Sequence, residues 1–145
     1  MFERAGYSPD KHLDFLGKSV GQELLTPTRI FVKSILQLMT KVDIKAMAHI
    51  TGGGIPGNLI RVIPQGLEGR IKLSSWTPQP IFQLLAEIGA VETSEMYRTF
   101  NMGIGFIVVV SPDQAELARS ELLKLGETPY IIGEVAQGNS GIVLE

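Results

Sequence analysis

Residues 49–58, His49-Ile50-Thr51-Gly52-Gly53-Gly54-Ile55-Pro56-Gly57-Asn58, restrict the possible folds more than any other stretch. Before them, Ile44, Ala46, Ala48 and Ile50 alternate with Lys45, Met47 and His49, which is strand periodicity. After them, a short helical pattern, Leu59-Ile60-Arg61-Val62-Ile63, stops at Pro64. Strand, bare backbone and helix N-terminus in that order can build an anion site, because unpaired N–H groups and the helix dipole point the same way. The same order also describes a tight strand-to-helix turn that needs glycine for positive φ. The residues alone leave both readings open. Gly52-x-Gly54-x-x-Gly57 matches the dinucleotide fingerprint literally, but that reading fails. The fingerprint needs a full helix afterwards and an acidic residue on the next strand to hold the ribose. Here Pro56 lies inside the motif, Pro64 ends the helix, and the next strand pattern carries Arg70 and Lys72. No Lys-Ser/Thr follows the glycines, so the Walker pattern fails as well.

The remaining elements are placed by periodicity and punctuation. Residues 2–5 read as the tail of a helix closed by Gly6, and residues 11–20 as a short helix with Leu13, Phe15, Leu16 and Val20 inward. Thr26 as N-cap with Pro27 at N1 predicts a helix. Its apolar face is Phe31, Ile35 and Met39 flanked by Val32 and Leu36, opposite Lys33, Gln37 and Lys41. Gly66 and Gly69 mark a loop, and residues 70–74 a strand with one wet face. Thr77 opens a helix with Ile81, Leu84, Leu85 and Ile88 buried and Gly89 at its end. Residues 95–99 read as a strand. Residues 103–110 are nearly all apolar, which predicts a central strand covered on both faces. Ser111-Pro112-Asp113-Gln114 is a capping-box helix start, followed by the stripe Ala115, Ala118, Leu122 and Leu125 and by Gly126. Residues 130–135 and 141–144 read as terminal strands around a turn at 137–140, a β-hairpin. The sum is an α+β fold: one domain over residues 1–145, a mixed β-sheet layered with α-helices.

Several function classes drop out. Net charge is −2 without a basic run, so nucleic acid or an acidic membrane is not bound through a general positive field. There are no cysteines, hence no disulfide frame and no thiolate metal site. No apolar run approaches a membrane span, and the start at Met1 does not read as a signal peptide. A cytoplasmic protein is expected. His12 has no partner in sequence and reads as a surface residue, and its spacing from His49 suits no metal. His49, at a strand end beside the glycines, is a candidate acid/base or phosphate contact, set against the commoner structural role of a lone histidine. Arg98 and Asn101 flank a turn and are candidates for anion or amide contacts. Gly103 and Gly105 strip one strand face, which admits a ligand or closely packed chain.

Three motifs carry a resemblance: Leu24-Leu25-Thr26-Pro27-Thr28-Arg29-Ile30-Phe31-Val32-Lys33; Ala48-His49-Ile50-Thr51-Gly52-Gly53-Gly54 with Asn58 and Arg61-Val62-Ile63-Pro64; and Glu95-Met96-Tyr97-Arg98-Thr99-Phe100-Asn101-Met102-Gly103-Ile104-Gly105. In this order they resemble the phosphoribosylformylglycinamidine cyclo-ligase (aminoimidazole ribonucleotide synthetase) family, and specifically its C-terminal domain. The family's N-terminal ATP-binding domain has no counterpart here. A His-Ser-Asn-Gly-type family segment is expected just before Met1, and residues 1–7 resemble the end of the helix that follows it. Among fold relatives (amidotransferase, thiamine-monophosphate kinase, selenophosphate synthetase and hydrogenase-maturation domains) the 95–105 motif favours the cyclo-ligase.

The resemblance implies an ATP-dependent ligase of purine biosynthesis. ATP phosphorylates the formamide oxygen of formylglycinamidine ribonucleotide, an amidine nitrogen attacks the activated carbon, and phosphate leaves as the imidazole ring closes. ATP and Mg2+ are implied, held mainly by the N-terminal domain, in a cleft between domains. Thr51, Gly52, Gly53, Gly54 and Asn58 are then expected to hold a phosphate, with His49 on the same wall and Arg98 and Asn101 nearby. Expected partners are the nucleotide substrate, the N-terminal domain and a second copy in a homodimer. The chain alone is expected to be inactive. The alternative is a non-catalytic nucleotide- or partner-binding domain. Without a first strand, a sheet edge or apolar patch is expected to be exposed, favouring self-association.

Overall fold

The computed structural model describes residues 2–145, with Arg4 described by its backbone alone. Met1, first residue of the segment likened to a helix end, lies outside the described residues. The strands are β1 (His12–Leu13), β2 (Lys18–Ser19), β3 (Ala46–His49), β4 (Leu67–Ile71), β5 (Phe106–Val109), β6 (Gly133–Gln137) and β7 (Gly141–Leu144). The helices are α1 (Val20–Leu24), α2 (Val32–Leu38), α3 (Gly54–Leu59), α4 (Pro80–Gly89), α5 (Thr93–Thr99) and α6 (Ala115–Lys124). Three small sheets result: β1 with β2, β3 with β5, and β4 between β6 and β7. β4 is antiparallel to β6 and parallel to β7, so the fold is α+β with mixed pairing, as expected.

The alternation at 44–50 forms β3, with Ala48 and Ile50 buried and Met47 and His49 exposed. Ile50, Ile55, Leu59, Ile71, Trp76, Met96, Tyr97 and Ile107 meet in the main core. Leu38, Val42 and Ala118 make a second cluster, on which Val108 and Val110 of the β5 stretch pack. Each fully buried Leu or Ile in these clusters contributes roughly 1.5–3 kcal/mol.

Other expectations are corrected. Residues 11–20 form the β1–β2 hairpin rather than a helix. Gly17 turns left-handed (φ 64°), and a helix starts only at Ser19, where Ser19 and Gln22 make a reciprocal capping box. Thr26 does not cap α2: its hydroxyl donates to the Gln22 carbonyl, and α2 begins at Val32. The buried side of α2 is Ile35 and Leu38, while Val32, Leu36 and Met39 lie open. Two apolar stripes run along this helix, and contact with α6 selects the other one. Gly69 sits inside β4 rather than in a loop.

The helix expected at Thr77 starts at Pro80. Proline holds Gln79 extended (ψ 146°) and delays the first turn. Its left-handed terminus is Ala90 (φ 47°), one residue past Gly89. Residues 95–99 are helix α5, not a strand. Met96, Tyr97 and Phe100 pack into the main core at helical spacing, which overrides the strand preference of Tyr and Thr. The stretch 103–110 has apolar neighbours on both faces, but β5 is not central: it pairs with β3 alone. The expected box at Ser111 is absent, since Gln114 Oε1 accepts from the Asp43 amide instead. Finally, β6 and β7 do not pair as a hairpin. Their connection wraps the start of β4, with Ser140 Oγ accepting from the Gly66 amide and Gly66 O from the Gly138 amide, so β4 slides between them.

Candidate functional site

The glycine loop joins β3 to α3. Gly53 and Gly54 are both left-handed (φ 98° and 59°), conformations that suit glycine. Gly54 has a second requirement: a Cβ there would run into the Tyr97 carbonyl oxygen and lie 2.9 Å from that of Phe100. The loop is thus pressed against the C-terminal turn of α5. Gly52 differs from both. Its φ is ordinary, and a Cβ on it would meet nothing within 4 Å.

Asn58 holds the loop from within. It is 5% exposed, and its Nδ2 donates toward the carbonyls of Gly54 (2.8 Å), Gly52 (3.2 Å) and Thr51 (3.3 Å). One amide therefore gathers three backbone oxygens of the turn, of which Thr51 O also accepts from the Gly54 amide. The Asn58 amide is occupied with the loop itself, which makes it a positioning group. Gly54 N–H donates to Thr51 O, whereas the amides of Gly52 and Gly53 find no acceptor among the described residues. The carbonyls are drawn inward and two donors are left over.

The structure brings the other sequence candidates near the loop to different degrees. Arg98 lies on α5 one residue after Tyr97, whose carbonyl faces Gly54. It is exposed and pairs with Glu95 at 3.2 Å. Asn101 follows Phe100, and its Oδ1 accepts from the Gly103 amide (3.0 Å), which closes the turn into β5. Arg98 therefore sits in a helix and Asn101 follows it, where a turn between two strands was expected. His49 is exposed, its ring stacked on Phe106 (centroids 6.1 Å) and beside Phe31 (6.2 Å). No carboxylate or hydroxyl bonds to it among the described residues, so no acid/base pair is built there. The bare face at Gly103 and Gly105 is filled by this chain: built Cβ atoms would lie 2.6 Å from Gln79 Oε1 and 2.7 Å from Phe31 Cζ. Burial raises the Tyr97 phenol above its ordinary value; its ring packs edge-on to Trp76 in the main core.

Sequence reasoning missed the inward role of Asn58. The available signal was a polar residue four positions after Gly54 on a helix whose neighbours Ile55 and Leu59 are apolar. Among the described residues no three His, Asp or Glu side chains gather into a metal-binding group.

Fold and loop together define a layered α+β domain with a glycine-rich, backbone-lined corner. The chain belongs to the family of the AIR synthase related protein, C-terminal domain, whose profile matches residues 3–144. Its relatives are cyclo-ligases. It is 45% identical over 138 residues to phosphoribosylformylglycinamidine cyclo-ligase of Brevibacillus brevis, covering 95% of this chain and 40% of that protein. It is 42% identical to that of Caldanaerobacter subterraneus subsp. tengcongensis over 99% of the chain and 43% of the relative. A putative cyclo-ligase of Streptomyces fradiae is 42% identical over 97% of the chain and 78% of that protein. The chain thus spans about two-fifths of the length of the first two. A crystal structure of HypE from E. coli shares the fold, with TM-score 0.63 at 20% identity over 98% of this chain and 39% of that one. No helix among the described residues is long and apolar enough to cross a membrane.

Proposed function

We propose that this chain is the C-terminal domain of a phosphoribosylformylglycinamidine cyclo-ligase, and that its glycine loop forms one wall of the site where formylglycinamidine ribonucleotide is closed to aminoimidazole ribonucleotide with ATP. The observation that carries this reading is identity of 42–45% to cyclo-ligases across nearly the whole chain, glycine loop included. The free amides of Gly52 and Gly53 suit a phosphate, with Asn58 holding them in place and exposed Arg98 adding positive charge. Thr51 and Asn101 border the loop and the α5–β5 turn, and His49 ends β3 three residues before Gly52. ATP belongs to the opposite wall, supplied by an N-terminal domain, in a cytoplasmic homodimer.

The test is phosphate release from ATP with formylglycinamidine ribonucleotide. It compares this chain with a chimera in which residues 3–144 replace the matching part of the Brevibacillus brevis protein. The chimera is expected to turn over and the 145-residue chain to be silent. Turnover by the chain alone, or none by a folded chimera, would overturn the proposal. The absence of an acid/base partner for His49 favours a second reading, a domain that binds nucleotide or a partner without catalysis. A chimera that binds ATP without turnover would select it.

A further inference from the structure

Trp76 is the one tryptophan of the chain, and it is buried, 6% exposed. An indole taken out of water needs a partner for its single N–H. Here Nε1 donates to the Met102 carbonyl at 2.9 Å, 26 residues further along. The ring also meets Tyr97 edge-on, with centroids 6.2 Å apart. Tyr97 lies near the end of α5 and Met102 in the turn that follows, so one side chain supports both. That turn is unusual. Met102 and Gly103 both have positive φ, 48° and 94°, and the Ile104 amide donates to Asn101 O at 2.9 Å. Two left-handed central residues make the type I′ pattern, whose first central place is ordinarily Asn, Asp or Gly. A methionine persists there when its surroundings over-determine it. The indole bond and the burial of Met102, 7% exposed, do so.

The turn in turn orients one polar side chain. Asn101 Oδ1 accepts from the Gly103 amide at 3.0 Å. The group facing that amide must be the oxygen, because a backbone N–H can only donate. The NH2 group therefore points away from Gly103. Among the described residues it has no acceptor, and Asn101 is half-buried. Asn101 follows Phe100, whose carbonyl oxygen lies 2.9 Å from a Cβ built on Gly54. The unspent NH2 thus belongs to the same corner of the fold as the unspent amides of Gly52 and Gly53.

We propose that Trp76 is a positioning residue of the ligand site: its bond to Met102 O holds the left-handed turn, and the turn presents the Asn101 NH2 as a donor to an oxygen of the ligand on the glycine loop. The proposal rests on the function proposed above. Trp76 does not touch the ligand and acts through Asn101. The ligand atom is an acceptor, since an amide whose carbonyl is already bonded has only its N–H groups to offer. Formylglycinamidine ribonucleotide carries two such sources, its phosphate oxygens and its formamide oxygen.

Asn101→Asp tests the donor. It keeps an oxygen for the Gly103 amide and removes both N–H groups. The unfolding midpoint of the 145-residue chain is expected to stay within a few degrees, while the chimera binds formylglycinamidine ribonucleotide about 100-fold more weakly in calorimetry. Unchanged affinity, or no binding by the parent chimera, would overturn the inference. Affinity is read whether or not the chimera turns over, so a silent chimera that shows this loss fails the function and keeps the inference. In an active chimera a rise in KM alone assigns the bond to the phosphate, and a fall in kcat assigns it to the formamide oxygen. Trp76→Phe tests the positioning, since it keeps a ring and removes the N–H. It is expected to weaken binding about tenfold in the parent chimera and less than about twofold in an Asn101→Ala background, where no side chain is left to orient. Equal losses in the two backgrounds would make Trp76 a core residue alone and overturn its role. In the 145-residue chain the Gly103 and Ile104 amides, both bonded to Asn101, are expected to exchange about tenfold faster in Trp76→Phe, with those of β4 unchanged. Uniform acceleration counts against the turn, and Asn101→Asp decides the matter should Trp76→Phe not fold.

Discussion

Between β3 and α3 the carbonyls of Thr51, Gly52 and Gly54 converge on the single amide of Asn58, whereas along the edge of β5 turned away from β3 the amides of Phe106, Val108 and Val110 have no acceptor among the described residues. Both places are lined by backbone. The loop satisfies its acceptors internally and keeps two donors, a polarity that suits an anion. The β5 edge keeps its outward backbone groups unpaired, a pattern that suits another strand. What a backbone surface can bind is therefore set by which half of its hydrogen bonding is already satisfied, rather than by how many glycines it contains.

The largest expected break in this contrast is Gly54→Ala. The methyl would collide with the Tyr97 carbonyl at a residue whose φ is 59°, so backbone must move on both sides. A loss of about 3 kcal/mol in urea unfolding is expected, from overpacking and left-handed strain together. A loss under about 0.5 kcal/mol, the range of an ordinary surface change, would mean that α5 does not press on the loop.

Asn58→Ala comes next. It removes the side-chain donor on which three carbonyls converge, Thr51 O alone keeping the bond from the Gly54 amide, at a site 5% exposed. The expected cost is about 2 kcal/mol, the penalty of unsatisfied buried groups. Asn58→Asp should be at least as harmful at neutral pH, because a carboxylate places an acceptor against acceptors. If Asp is tolerated while Ala is not, Asn58 acts by volume, and the inward reading of the loop fails.

How much of this was legible beforehand varied with the range of the interactions. β3 could be read because alternation is local, and the three glycines could be placed at its end for the same reason. The left-handed turns at Gly53 and Gly54 follow from that placement. α5 was misread because Tyr97, Thr99 and Phe100 favour strands in isolation, and only contact with α3 and the core tips them into a helix. The face of α2 was misread because Ile35 belongs to both of its apolar stripes. The hairpin of β6 and β7 was inferred from adjacency, yet β4, some 60 residues earlier, enters between them. Around the glycine loop, the order of strand, glycines and helix could be read from the sequence, but the direction of the Asn58 amide could not, since nothing in its type says whether it points in or out. The free edge of β5 could not be found at all: an unpaired edge is defined only once every long-range pairing is known.

Tyr97→Phe sharpens the same corner more gently. Burial raises the Tyr97 phenol, so the native state holds this proton to higher pH than the unfolded chain, where tyrosine titrates near about 10. Its contribution to stability is fully present below about pH 10 and falls as pH rises through the raised native value. The phenylalanine variant is expected to match the parent at neutral pH and to lose less stability in alkali. Coincident alkaline limbs would show that the phenol is not buried in the core.

Gly52→Ala has the smallest expected effect on folding and separates the two readings of the loop most sharply. Its φ is ordinary and a Cβ there meets nothing within 4 Å, so the isolated chain should change by less than about 0.5 kcal/mol. Gly53 and Gly54 cannot serve this purpose, because their substitution disturbs the turn whatever it binds. At Gly52 no internal demand for glycine exists, so a demand seen only in the chimera must come from what lies across the loop. A phosphate approaching the Gly52 and Gly53 amides would meet the new methyl, and KM for formylglycinamidine ribonucleotide or ATP should rise about tenfold, the equivalent of roughly 1.4 kcal/mol. A rise in one of the two KM values alone would also name the phosphate. Unchanged stability together with unchanged kinetics would leave the glycines as a turn alone and remove the loop from the binding wall.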